Sequence, residues 1–224
     1  MAINLNFDFL ENPITLENLT SLVIEDTRVF TQVVQAIQNY SGSEGFIKIY
    51  NDDFRDLKEN ELVKITDVLG FELNSAAILK TMYQDIETQI NDKPESKSEI
   101  EFYLNKATKI IEDELLEFEL DVESDEIQIQ EALKVLGVKI EVMTDTIFER
   151  LFEIIQVFKY LKNKKLLILI NVGVYLLETE MAQLSEYITL QNMDVLMVDH
   201  TRLGGIKEQF VLDEDYILMH ENVV

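Results

Sequence analysis

The sequence predicts an α/β fold, and three observations carry that prediction. LLILI at 166–170 and DVLMV at 194–198 are separated by a stretch with helical spacing, the mark of a strand–helix–strand unit. Both runs are too uniformly apolar to alternate between inside and outside, so the parallel sheet they form must be covered on both faces. The other strand-like segments lie mostly at the two ends of the chain, with helical periodicity between them. The simplest organisation is one α/β head made from residues 1–56 and 162–224, with a mainly α-helical domain inserted over 57–161.

Each element has its own local reason. INLNFDFLENPITL alternates through Ile3, Leu5, Phe7 and Phe9 and reads as strands of a small sheet, ended at Pro13. Leu16 to Leu22 reads as a short turn of helix. Glu25 and Asp26 precede VFTQVVQAIQNY, where Val29, Phe30, Val33, Val34, Ile37 and Tyr40 form one face; acids at the start of that helix suit its dipole. SGSEG (41–45) is a turn, FIKIY (46–50) a strand and Asp52-Asp53 another turn. From Leu57 the spacing is helical, with one stripe at Leu62, Ile65, Val68 and Leu69 and a second at Ile78, Leu79, Met82, Ile86 and Ile90. NDKPESKSE (91–99) is a polar loop, and a helix from about Ser98 groups Tyr103, Leu104, Ala107, Ile110 and Ile111. Leu116, Phe118, Leu120 and Val122 then alternate with acids, as in an extended strand. Ser124 opens a helix over EIQIQEALKVL that Gly137 closes, and VKIEV (138–142) is again extended. A long helix over 144–161 carries Ile147, Leu151, Ile154, Ile155, Phe158 and Leu161. The remainder is strand 166–170, helix 179–190, strand 194–199 and a hairpin-like pair at 207–212 and 215–220.

Composition narrows the function classes. Among 224 residues, 47% are apolar, which describes a globular protein. Cysteine is absent, so disulfides, thiol nucleophiles and thiolate zinc sites are excluded, and two histidines, His200 and His220, cannot make a histidine-rich metal site. No signal-like opening is present and no apolar run approaches the roughly 20 residues needed to cross a bilayer, so a cytoplasmic protein without membrane contact is expected. Neither G-x-x-x-x-G-K-[ST] nor G-x-G-x-x-G occurs, which leaves an α/β scaffold without a phosphate cradle. That combination points to a binding or architectural protein and not to an enzyme. The net charge is −24, from 43 acidic and 19 basic side chains. It does not rule out DNA, because screening over about 8 Å makes the local placement of cations decisive.

The densest local signal is acidic. On a strand, Glu117, Glu119, Asp121 and Glu123 share one face at about 7 Å intervals, and Asp125 and Glu126 follow at the turn. Clustered hard oxygens suit calcium, although the spacing is not that of an EF-hand: Glu126 stands where its glycine belongs and Ala132 where its last ligand belongs. The plainer alternative is a solvated acidic edge. Asp199-His200 ends a buried strand at the rim where α/β active sites lie, and resembles the magnesium-water aspartate of phosphate-loop enzymes. Without a phosphate-binding lysine nothing obvious would stabilise a transferring phosphoryl group, so a structural rim is the simpler reading. Gly204-Gly205 reads as a plain turn. Lys134 and Lys139 flank Gly137, while Lys48, Arg55, Lys58 and Lys64 lie in the first third. No aromatic and basic interleaving, helix-turn-helix or zinc module suggests a dedicated nucleic-acid motif.

Taken together, the chain length, the terminal α/β halves around a helical insert, LLILINVGVYL, DVLMVDH and the QFVLDEDYIL ending resemble the type II-A CRISPR-associated Csn-two family over all 224 residues. The resemblance implies a phosphate-loop-NTPase-like α/β head lacking nucleotide motifs and an inserted helical leg. It further implies a calcium-dependent homotetrameric ring with a positively charged hole. Such a ring threads double-stranded DNA ends without sequence preference and serves spacer acquisition in antiviral defence, beside the adaptation integrase and the effector nuclease. By this resemblance the calcium ligands fall within Glu117, Glu119, Asp121, Glu123, Asp125 and Glu126, with the choice among them open. The channel cations fall at Lys134 and Lys139, with Lys48, Lys58, Lys64 and Arg150 as further candidates. The alternative is a divergent metal-dependent nucleotide hydrolase or nuclease built on Asp199.

Overall fold

The computed structural model describes residues 2–42, 45–116, 125–142, 145–161 and 163–222. In chain order these form β1 (Ile3–Phe7), β2 (Ile14–Leu16), β3 (Leu19–Ile24), α1 (Thr27–Gln38), β4 (Ile47–Asn51) and β5 (Leu62–Ile65). Three helices follow, α2 (Ala76–Asn91), α3 (Pro94–Leu115) and α4 (Ile129–Val135). The chain then continues through α5 (Ile147–Tyr160), β6 (Leu166–Ile170), α6 (Glu178–Gln191), β7 (Val195–Asp199), β8 (Glu208–Leu212) and β9 (Leu218–Asn222). Two compact units result: Met1–Phe71 with Met143–Val224, and Glu72–Val142.

The first unit holds a six-stranded sheet in the order β5-β6-β7-β3-β8-β9 and a three-stranded sheet in the order β2-β1-β4. β5, β6, β7, β3 and β8 run parallel, and β9 returns antiparallel to β8. The earliest of the parallel strands, β3, thus lies between the two latest, the crossover order of a phosphate-loop ATPase head. The apolar runs are buried on both faces, as the sequence demanded: every residue of Leu166–Ile170 and of Val195–Asp199 is buried. Leu166, Ile168, Ile170, Leu196 and Val198 pack into one core with Leu5, Phe7, Ile49 and the inner face of α1, namely Val29, Val33 and Ile37. Leu167, Leu169, Val195 and Met197 are equally buried on the opposite side, where α5 and α6 pack together and α6 reaches β3. Phe152 of α5 meets Tyr187 of α6 with ring centroids 4.4 Å apart.

Several segments depart from the sequence reading. Leu16–Leu22 is not helical: β2 and β3 occupy it, separated by Asn18 in a left-handed conformation at φ 51°. The apolar residues of β3 serve a sheet buried on both sides, which period alone does not separate from a short buried helix. Leu62 and Ile65, assigned above to a helical stripe, are the buried ends of β5, whose partner is β6 through Leu62↔Leu166 and Ile65↔Leu169. The sheet unit therefore continues to residue 71 and takes up α5, so the helical insert is shorter than 57–161. Helix α3 begins at Pro94, inside the segment read as a loop, because proline suits the first helical turn where its missing N–H is not needed.

In the second unit, α4 starts at Ile129, later than the Ser124 signal, and Gly137 closes it at φ 68°. Residues 138–142 form no strand. Instead the Asn74 side chain acts as a strand partner, accepting from Ile140 N–H (2.8 Å) and donating to Ile140 C=O (3.0 Å). Tyr83 O–H donates to Val138 C=O at 2.7 Å and fixes the same segment. The alternating stretch 117–123 lies outside the described residues; Leu116 before it caps α3.

Candidate functional site

In an α/β head of this topology, chemistry is sought at the carboxyl ends of the parallel strands. Here β3 passes into α1 with only Glu25 and Asp26 between them. Asp26 is the helix N-cap, its Oδ1 accepting from Arg28 N–H (2.9 Å) and Val29 N–H (2.8 Å). The amides that would cradle a phosphate are thus taken by a carboxylate of the chain itself, at the positive end of the helix dipole. Glu25 beside it binds Arg202 Nε at 3.1 Å, and Arg202 also reaches Glu221 at 3.2 Å. The guanidinium so ties the β3–α1 corner and β9 to the loop after β7.

Asp199 closes β7 and is fully buried. Its Oδ1 accepts from Gly173 N–H at 2.9 Å, in the 3-10 turn that follows β6, while Oδ2 is buried without a partner among the described residues. Burial pushes its pKa up to about 6, against the smaller lowering effect of the Gly173 hydrogen bond. Next to it, His200 Nδ1 lies 2.8 Å from Ile24 C=O and the ring packs on Phe30, with centroids 5.4 Å apart. These contacts lock the rim together. Gly205, at φ 77°, belongs to the same locking: a side chain there would strike the Glu178 carbonyl at 2.0 Å.

The candidate cations divide into two groups. Lys64 Nζ donates to Gln38 C=O (2.9 Å) and pairs with Glu59 (3.3 Å), with 14% of its side chain exposed. Arg150 donates to Phe71 C=O at 2.6 Å and pairs with Glu153, with 13% exposed. Both heads are spent inside the fold. Lys134 and Lys139 in the helical unit, and Lys48 and Lys58 in the sheet unit, are exposed and make no ion pair among the described residues.

Of the candidate calcium ligands, Glu117, Glu119, Asp121 and Glu123 lie outside the described residues, and Asp125 and Glu126 are exposed. Among the described residues no group of three or more acidic or histidine side chains is arranged to hold a metal ion. Two adjacent carboxylates fall short of the six to eight oxygens calcium takes. No helix among the described residues is long and apolar enough to cross a membrane.

A family model described as CRISPR-associated protein (Cas_Csn2) matches residues 39–216. The chain belongs to the Csn2 family. A CRISPR-associated protein Csn2 of Streptococcus agalactiae is 46% identical over 222 residues, covering 99% of this chain and 100% of that one. One from Enterococcus faecalis is 47% identical over 216 residues, covering 96% and 98%. The crystal structure of Stu0660 of Streptococcus thermophilus matches with TM-score 0.58 at 12% identity, covering 100% of this chain and 76% of that one; at that identity the likeness is one of fold.

Within this Csn2 family member, one feature contradicts the sequence reading that aromatic and basic residues do not interleave. Lys48 and Tyr50 share the outer face of β4, and Phe54 folds back to stack on Tyr50, with centroids 5.9 Å apart and planes at 16°. The period-two spacing of Lys48 and Tyr50 was visible in the sequence; the return of Phe54 across a turn was not.

Proposed function

We propose that the chain acts in CRISPR adaptation as a non-enzymatic, ring-forming protein that holds double-stranded DNA ends without sequence preference. One observation carries this reading beyond family membership: the head keeps the order of a phosphate-loop ATPase, yet Asp26 fills the helix N-terminus where phosphate would sit. A nucleotide there would meet Asp26 and Glu25 as like charges. Asp199, on which the hydrolase alternative depends, is sealed from solvent with one oxygen held by Gly173. A scaffold preserved while its phosphate site is self-capped is suited to assembly and not to phosphoryl transfer.

The physical account follows from charge. Four chains of net charge −24 repel one another as a ring closes. Calcium, held by carboxylates drawn from Glu117, Glu119, Asp121, Glu123, Asp125 and Glu126, would lower that repulsion by neutralising the acidic edge. Exposed Lys134 and Lys139, with Lys48 and Lys58 as further contacts, would turn inward to phosphates. The duplex would then be held through counterion release, which is sequence-blind and steeply salt-dependent. The ring works in the cytoplasm beside the adaptation integrase and the effector nuclease. Sedimentation with and without calcium tests the assembly: a homotetramer that forms with calcium supports it, and a monomer under both conditions refutes it.

A further inference from the structure

We propose that the outer face of β1 and β4 is a site for one unpaired nucleotide, its base stacked on Phe54 and its phosphate against Lys48. The assignment rests on the DNA-binding reading for the identity of the ligand and on a single cleft for its geometry. Asn6 stands opposite Lys48, and Asn4 opposite Tyr50, across the β1–β4 ladder. Their inner neighbours Leu5, Phe7, Ile47 and Ile49 belong to the core, so this polar row forms the other face.

The turn after β4 completes the site. Asn51 Oδ1 accepts from Asp53 N–H (3.1 Å) and Arg55 N–H (2.9 Å), and Asn51 N–H donates to Arg55 C=O (3.0 Å). This tight closure sends Phe54 back over Tyr50. Phe54 is 83% exposed and sits at φ 56°, a conformation bulky residues rarely adopt. Burial does not compensate this strain, since most of the ring faces water. Strained backbone that presents a side chain to solvent is a feature of ligand sites.

Asn6, Lys48, Tyr50, Phe54 and Asp56 bound a cleft of about 430 Å³, within the roughly 300–1,000 Å³ of small-molecule sites. Each part matches a part of a nucleotide. Stacked rings accept any base face, and the ammonium of Lys48 attracts a phosphate. The Asp56 carboxylate accepts from an exocyclic amine, and the Asn6 side chain lines the same cleft. An apolar peptide would leave these polar groups unpaired, so the lining favours a nucleotide. Within a DNA-end-binding protein, such a site would take a base from a frayed or overhanging end.

The test uses 2-aminopurine in a short single-stranded oligonucleotide and in the overhang of a duplex, because stacking quenches its fluorescence. The full chain should quench both. Phe54→Ala should abolish the quench and weaken single-strand binding at least about five-fold, the low end of base–aromatic stacking. The exposure of Phe54 leaves the fold intact, which circular dichroism checks. Lys48→Gln should keep the quench while lowering the salt slope of binding by about one. Equal quenching by Phe54→Ala and the unaltered chain would overturn the site. So would binding of blunt duplex with no quench of any unpaired base. A chain that quenches single strands and ignores blunt duplex would instead sink the duplex-end proposal and leave the nucleotide site standing.

Discussion

Exchange of Asp199 for Asn replaces one carboxyl oxygen by an amide nitrogen while preserving the shape of a fully buried side chain. In the native chain the pKa of Asp199 is raised from 3.8 to about 6, chiefly by desolvation. A raised carboxyl pKa means that the folded state binds the proton more tightly than the unfolded chain. Stability contributed by the neutral acid is therefore complete below about pH 4, falls as pH rises to about 6, and stays low beyond. The full loss corresponds to about 3 kcal/mol, of which roughly 1.5 kcal/mol falls between pH 5 and pH 8. Asn at this position does not titrate, and its Oδ1 can still accept from Gly173. Any constant cost of burying the amide nitrogen is the same at every pH. The stability difference between Asp199→Asn and the unaltered chain should therefore move by about 1.5 kcal/mol in favour of the variant from pH 5 to pH 8. Urea unfolding followed by far-ultraviolet circular dichroism at the two pH values measures it. Parallel pH profiles would show that Asp199 titrates as an ordinary carboxyl and that water reaches the rim.

Other outcomes follow from the same placements. Lys134→Glu with Lys139→Glu should weaken duplex binding and lower the salt slope by about one per lysine lost from the contact, whereas Lys64→Ala and Arg150→Ala should lower thermal stability with little effect on DNA; unchanged affinity of the double variant at low salt would reject the lysine choice. On the calcium proposal the melting temperature should rise with calcium, and alanine at Glu119, Asp121 and Glu123 together should remove that rise; a retained rise would move the ions elsewhere. Asp26→Ala should cost about 0.5–2 kcal/mol through the lost cap, measured by denaturation; a neutral effect would mean that the carboxylate does not hold the α1 amides.

The sequence made the central sheet legible because LLILI and DVLMV can be buried on both sides only between covering layers. It made α1 legible through Asp26 and the spacing of Val29, Val33 and Ile37. It misled at Leu16–Leu22 and at Leu62–Ile65, where short apolar groups spaced three or four apart serve equally for a helical stripe and for strand ends. What decides β5 is its neighbour β6, more than a hundred residues away in sequence, and no local pattern contains that. The absent phosphate loop was readable from motifs; that Asp26 caps the vacated helix end was foreshadowed only by acids at the right place.

Side-chain roles were harder to read. Lys64 and Arg150 look like ordinary surface cations in the sequence, yet their heads bond the carbonyls of Gln38, at the C-terminal end of α1, and of Phe71, between β5 and α2, where helix ends and loops leave acceptors for side-chain donors. Phe54 gave no signal at all, since its meeting with Tyr50 depends on a turn closed by the Asn51 side chain. The acidic stretch was the loudest local pattern, and Glu117, Glu119, Asp121 and Glu123 fall outside the described residues.

Competition between covalently closed plasmid and the same plasmid cut once, in calcium, addresses the ring most directly. The account predicts that cut DNA is retained by the protein and that closed circles are not, because a closed ring can load only over a free end. Equal retention of both would contradict threading and, with it, the proposal that this acidic chain hides its few free cations on the inner wall of a ring.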